Sequence, residues 1–378
     1  MARNSFTNYL NKFSLLKLNY LAVQSPWYFV FFRVTVIFLQ TLITIRFIIF
    51  VTVKLEYSTA LNSGDYAVNW PKPHHFLIII NILWFFCYWS SLFLCQRTNI
   101  SPKKRFWFHA LAILDDDISD WNKESKSTVI YFFFHILKAN LLVGSLFSWC
   151  LYIPVLIESE SFGQFILISL SGFNGAVAGY CSTSFCVNFS FIFAFYSFNT
   201  GLKYERIASR LSGQVSTRSH SSILDTIKDD LVRLLIENHK ANYFWTQLNS
   251  TIFLLTFIAQ IPILYLIFFV PLTTFTKCSM VMLGMLNFLC GQSITLLSGS
   301  FVKTKFNECH KQFNRVLINR IDLDLYHKIH LICSAEYLID RQLFYIFGKF
   351  EFNNINYLLV VLEMISLLLL LIANAGSS

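Results

Sequence analysis

Seven stretches of this 378-residue chain stay apolar over about twenty positions or more, and nothing else in the sequence restricts its fold as strongly. They run over Trp27 to Val53, Phe76 to Cys95, Val129 to Ile157, Phe165 to Phe198, Phe244 to Pro271, Met280 to Phe301 and Ile355 to Ala373. A helix rising about 1.5 Å per residue needs about 20 residues to cross the hydrocarbon of a bilayer. Lipid offers no partner to backbone N–H and C=O groups, and runs this long and uniformly apolar do not close into a barrel, so each stretch is expected to be a helix. The predicted fold class is all-α, a seven-transmembrane helical bundle.

Composition agrees. Charged residues make up 13% of the chain, about half the share of an ordinary soluble domain, while 55% is apolar and 41 residues are Phe. A soluble enzyme is thereby excluded. So are a disordered chain, a collagen-like repeat and a small disulfide scaffold, given 13 Gly and 9 Cys.

Cations next to spans are retained on the cytoplasmic side. With the N-terminus inside, cytoplasmic segments hold 24 Lys and Arg, and the opposite side holds only Lys54, Lys72 and Lys277. The expected protein is therefore a multi-pass plasma-membrane protein with an intracellular N-terminus and an extracellular C-terminus. Its net charge of +9 reflects this topology and anionic lipid at the inner leaflet, and no nucleic-acid partner is expected.

The expected division is a cytoplasmic N-terminal segment over 1–26, transmembrane helices 1–6 over 27–301 with cytoplasmic loops 96–128 and 199–243, a cytoplasmic anchor segment over 302–354, and helix 7 with a short extracellular tail over 355–378.

The first 26 residues show no small-residue cleavage site after a short apolar core, so no removable signal peptide is expected. Only Cys278 faces outside in this topology, which leaves no intrachain extracellular disulfide. The sequons at Asn99, Asn188 and Asn249 fall in membrane or cytoplasm and are expected to stay unmodified. Seven spans also suggest a G-protein-coupled receptor, but the inverted topology and the lack of an acidic-Arg-aromatic triplet ending the third span argue against it.

Two cytoplasmic stretches are amphipathic. Leu224, Ile227, Leu231, Leu234 and Leu235 recur at helical spacing, opposite Lys228, Asp229, Arg233 and Glu237. Phe313, Val316, Leu317, Ile321 and Leu325 mark a second apolar face in a piece running from Phe306 to about Gly348. Both read as extensions of the flanking spans. They are either solvated juxtamembrane hairpins or a collar where subunits meet, because apolar faces need partners.

The last span carries one carboxylate, Glu363. At about 100° per residue, Asn356, Glu363 and Asn374 lie close to one line, with Ser366 beside it. An ionisable group at membrane depth is costly unless it meets protein, water or a counter-charge. Glu363 is therefore either protonated or paired with Arg33, Arg46 or Lys138 within one chain, or it faces other copies across a water-filled path where carboxylates concentrate cations.

The stretch Gly348 to Met364, GKFEFNNINYLLVVLEM, resembles the signature of the seventh helix of arthropod gustatory receptors, TYxxxxxQF. Spacing is kept: Asn356 stands for Thr, Tyr357 matches, Glu363 stands for Gln and Met364 for Phe. The architecture fits over the whole chain, the motif over about 17 residues. Insect odorant receptors share the architecture and usually lack the motif.

The resemblance implies a tastant-gated, non-selective cation channel of four subunits, homomeric or mixed with other receptor subunits, with helix 7 lining the pore. It places Glu363 and Met364 at the constriction and Tyr357 at the inner end, with Asn356 and Ser366 on the same helix. Glu in place of Gln would add charge to the gate and make conductance pH-dependent, because close carboxylates resist ionising together. The resemblance also implies a ligand pocket in the outer half of helices 2–6. Candidates there are Trp84, Trp149, Tyr152, Gln164, Gln260 and Tyr265, each also readable as packing or interfacial aromatic. Small-molecule tastant, permeating cations and membrane lipid are the expected partners.

No enzyme is expected, and neither is a cofactor or a metal. His74 with His75 and His327 with His330 lie on opposite sides, and Asp115, Asp116, Asp117 and Asp120 read as a solvated loop or helix start. A secondary transporter is the remaining alternative, although no inverted repeat is visible.

Overall fold

The computed structural model describes residues 27–68, 75–100, 142–216, 221–319, 325, 328–329, 332–333, 345–346, 350–351 and 353–375. The segment 1–26, most of the loop 96–128 with its aspartates, the first half of the third span with Lys138, and His74, Ile321, His327 and His330 lie outside the described residues.

The chain is a helical bundle. Its elements are α1 (Trp27–Thr52), a short α2 (Tyr57–Asn62), α3 (His75–Ile100), helical residues 142–150, α4 (Ile153–Ile157), α5 (Phe162–Ser216), α6 (Ser221–Phe269), α7 (Thr274–Phe288), a π-helical turn (Leu289–Ser293), α8 (Ile294–Asn319) and α9 (Asn354–Ala375). A two-residue antiparallel pair, β1 (Tyr345–Ile346) with β2 (Phe350–Glu351), precedes α9. Among the described residues, six helices are long and apolar enough to cross a membrane.

The third span is broken where the sequence suggested one uninterrupted run. Helix 142–150 gives way to a turn at Leu151 and Tyr152, and α4 restarts with Pro154 at its first turn. Proline lacks the N–H that a continuing helix would need, so it is tolerated only at a fresh start. The sixth span begins earlier than expected, at Thr274. Thr273 caps it, its hydroxyl accepting from the Thr276 backbone N–H at 3.3 Å.

Two helices set the scale. α5 has 55 residues and α6 has 49, lengths of roughly 80 and 70 Å. A hydrocarbon core of about 30 Å accommodates less than half of either, so both continue well beyond the membrane. Their extensions pair with each other and with α8. Leu224, Ile227, Leu231, Leu234 and Leu235 are all buried in this chain, as are Phe313 and Val316. The apolar faces that suggested a collar between subunits thus find their partners within one molecule, whereas Leu325 is exposed.

Polar ties fix the register of the extensions. Tyr196 Oη donates to Asn238 Oδ1 at 2.9 Å, and Asn238 Nδ2 donates to Tyr204 Oη at 2.7 Å. Arg210 bridges to Asp230 at 2.7 Å, and Lys305 of α8 reaches Glu205 of α5 at 2.6 Å. The Arg210 hydrogen bond holds the Asp230 carboxyl below its ordinary range.

α1 shows the lipid-facing pattern. Phe31, Val34, Phe38, Leu42, Ile45 and Ile49 form an exposed apolar stripe, while Ile43, Phe47 and Phe50 pack inward. Its buried Gln40 donates to the Ala178 carbonyl of α5 at 2.9 Å. Another helix thus supplies the acceptor for this amide's N–H, while its Oε1 finds no partner among the described residues.

Candidate functional site: the α9 helix and its seat

α9 starts on a side-chain cap. Asn353 Oδ1 accepts from the Asn356 backbone N–H at 2.6 Å, satisfying one of the orphan donors of the first turn. Tyr357, Val361, Met364, Leu368 and Leu371 then follow at alternating steps of four and three, one face of a helix. This face meets the bundle. Met364 is 5% exposed, and Tyr357 and Val360 pack against the core.

The next position points elsewhere. Glu363 is exposed, about 100° around the helix from Met364, and Ser366 is exposed beside it. Among the described residues Glu363 makes no ion pair. Arg46, one of its possible partners, is engaged at a different place: Nη2 donates to Tyr152 Oη at 2.9 Å, Nη1 to Ser171 Oγ at 3.1 Å, and the guanidinium stands over the Phe47 and Phe50 rings at 5.5 and 5.9 Å.

The seat of α9 contains the π-helical turn. Ser293 Oγ lies 3.2 Å from Tyr357 Oη, and the Phe288 ring lies 6.3 Å from the Tyr357 ring. A π turn widens the helix by one residue and is frequent where a helix meets a functional partner. Gly291 within it presses against the Thr256 side chain, leaving no room for a Cβ. The neighbouring Gln292 is 0% exposed, and neither atom of its amide finds a partner among the described residues. Nearby, Asn287 Nδ2 donates both to the Thr256 carbonyl and to Gln260 Oε1, each at 2.7 Å.

Of the six ligand candidates, Trp149 and Tyr152 meet at Gly172, and the others take part in separate contacts. Trp84 is buried in the core. Trp149 lies against Gly172. Tyr152 accepts from Arg46 and meets the Tyr66 ring edge-on at 5.1 Å. Gln164 accepts from the Glu160 backbone N–H at the start of α5. Tyr265 packs with Phe76 and Phe269, each at 5.6 Å between ring centres. Gln260 lines a crevice that α6 and α7 form with α9. Sequence reasoning passed over Ser293, Asn287 and Gln292. Their only signal was a cluster of amides and small residues inside an otherwise apolar span.

No protein-family model matches the chain, and no curated protein matches it. Solved structures do. The structure of the insect olfactory receptor OR5 from Machilis hrabei in complex with eugenol superposes with a TM-score of 0.70 at 14% identity, covering 99% of this chain and 100% of that one. A second structure of that receptor gives a TM-score of 0.63 at 15% identity, covering 98% and 99%. The chain is a multi-pass membrane protein with the seven-transmembrane fold of that insect receptor.

Proposed function

We propose that this protein is a gustatory chemoreceptor, a cation channel opened by a small-molecule tastant, assembled as a tetramer with the N-terminus in the cytoplasm and α9 lining a shared pore. The observation that carries the reading is the split on α9. Met364 sits on the seam with the bundle, while Glu363 and Ser366 face away from it with no protein partner among the described residues. Four such carboxylates around an axis would attract cations. At about 8 Å in water each contributes about 0.5 kcal/mol, together roughly a thirtyfold local enrichment before salt screening.

The Asn356–Tyr357 and Glu363–Met364 spacing supports the gustatory assignment. The fold is shared with an olfactory receptor solved with eugenol, which supports an odorant-gated channel as the second reading. A panel of sugars, bitter compounds and volatile phenols separates the two.

The direct test is whole-cell recording of Glu363→Gln across pH. Weaker cation selectivity and a flattened pH response are expected. Unchanged permeability and unchanged pH response would refute the carboxylate ring.

A further inference from the structure

Between α6, α7 and α9 lies a crevice of about 360 Å³. Ile267 and Phe268 of α6, Val281 and Met285 of α7, and Val361 and Met364 of α9 give it apolar walls, and Gly284 leaves part of the wall bare. Its mouth opens on the outside of the bundle, where Phe268 and Met285 are 64% and 61% exposed.

Among the described residues one polar side chain lines this space. Gln260 is 5% exposed and lines the crevice. Its Oε1 is committed to Asn287 Nδ2 at 2.7 Å, and its Nε2 lies on the Gly284 side, 3.7 Å from where a Cβ there would stand. Among the described residues Nε2 has no acceptor. Nε2 opens on the crevice, so a hydrocarbon chain entering there would strip its solvation and would not satisfy it. A molecule with a carbonyl or ether oxygen would. At roughly 30 Å³ per heavy atom the space suits about a dozen, near the lower end of ligand pockets.

We propose that this crevice binds a small, largely apolar molecule bearing one hydrogen-bond acceptor, which enters from the bilayer, accepts from Gln260 Nε2 and rests against Met364. Such an occupant touches the residue next to Glu363 and so biases α9. That consequence rests on the channel reading above, whereas the binding does not.

The test uses the full-length protein in lipid nanodiscs, photolabelled with a diazirine derivative of decanone and mapped by mass spectrometry. Label is expected on peptides carrying Phe268, Met285 or Ile365, reduced at least tenfold by excess decanone and unaffected by decane. Gln260→Leu should weaken decanone competition about tenfold. Met285→Trp, at the exposed rim, should block labelling without depending on the Gln260–Asn287 bond. Equal displacement by decane would identify an acyl-chain groove and overturn the proposal. So would labelling indifferent to both variants, or intersubunit cross-links through Met285 that show a second copy covering the mouth. Labelling that behaves as expected in a protein that passes no ligand-evoked current would sustain the site and sink the channel reading alone.

Discussion

The contact between α9 and the π-helical turn has a measurable strength. Tyr357 Oη and Ser293 Oγ are 3.2 Å apart, long for an O–H···O bond. A neutral hydrogen bond contributes about 0.5–1.5 kcal/mol net, and this distance places the pair at about 0.5–1 kcal/mol. Tyr357→Phe keeps the ring against Phe288 and removes only the hydroxyl. It also leaves the buried Ser293 hydroxyl without that partner, raising the single-variant effect to about 1–2 kcal/mol. If the bond forms in one gating state and not the other, Tyr357→Phe shifts the activation midpoint about five- to thirtyfold. Concentration–response curves for Tyr357→Phe, Ser293→Ala and the double variant supply a complete cycle. A coupling of about 0.5–1 kcal/mol is expected. Additive single effects, or Tyr357→Phe with an unaltered midpoint, would refute the idea that this bond differs between states.

Three further outcomes follow from the packing. Arg46→Met removes two hydrogen bonds from a charged donor together with the contacts over Phe47 and Phe50; a loss of about 2–4 kcal/mol should lower the thermal midpoint in detergent, and Arg46→Lys should recover only part, since one ammonium does not replace the fork. Gly291→Val places atoms where Thr256 stands, and overpacking of about 1–3 kcal/mol should reduce surface expression, while Gly213→Ala, in open space, should not. Asp230 is held low by Arg210, so its contribution is present at neutral pH and is lost as pH falls through the lowered value, below about pH 4. Thermal unfolding between pH 5 and pH 3 should show Asp230→Asn to be less acid-sensitive than the parent, by less than about 1 kcal/mol because the pair is partly exposed.

The spans were legible because twenty apolar residues in a row have few physical solutions. Periodicity also marked the correct inward faces of the extensions, from Leu224 to Leu235 and at Phe313 and Val316. It could not say what those faces meet. Their partners lie on other helices, as Glu205 and Lys305 lie 100 residues apart, and only the lengths of α5 and α6 bring them together. The seat of α9 was hidden for the same reason. Ser293 and Tyr357 are 64 positions apart, and Gln260 and Asn287 are 27 apart. Arg46 illustrates the limit of a charge inventory. It could be flagged as needing a partner in the membrane, but its partners are the neutral hydroxyls of Tyr152 and Ser171.

The two adjacent residues Glu363 and Met364 carry the argument from packing to assembly. A helix seated by one seam has the rest of its surface turned outward, and on α9 that surface includes Leu358, Leu359, Leu362, Leu369 and Leu370 together with one carboxylate. In lipid the leucines cost nothing, whereas an acidic side chain at the centre of a span costs about 3 kcal/mol on insertion scales. Among the described residues Glu363 has no ion-pair partner, and the side chains of Arg33 and Lys138 lie outside them. On the channel reading proposed above, copies whose α9 helices enclose water would remove the cost of an unpaired acid and leave the leucines to meet lipid or one another. Met364 fixes the rotation of the helix on its seat, so the same seam that holds α9 in place decides which side of it the carboxylate presents. On the same channel reading, assembly and conduction would both follow from this one acid, which meets no counter-charge among the described residues.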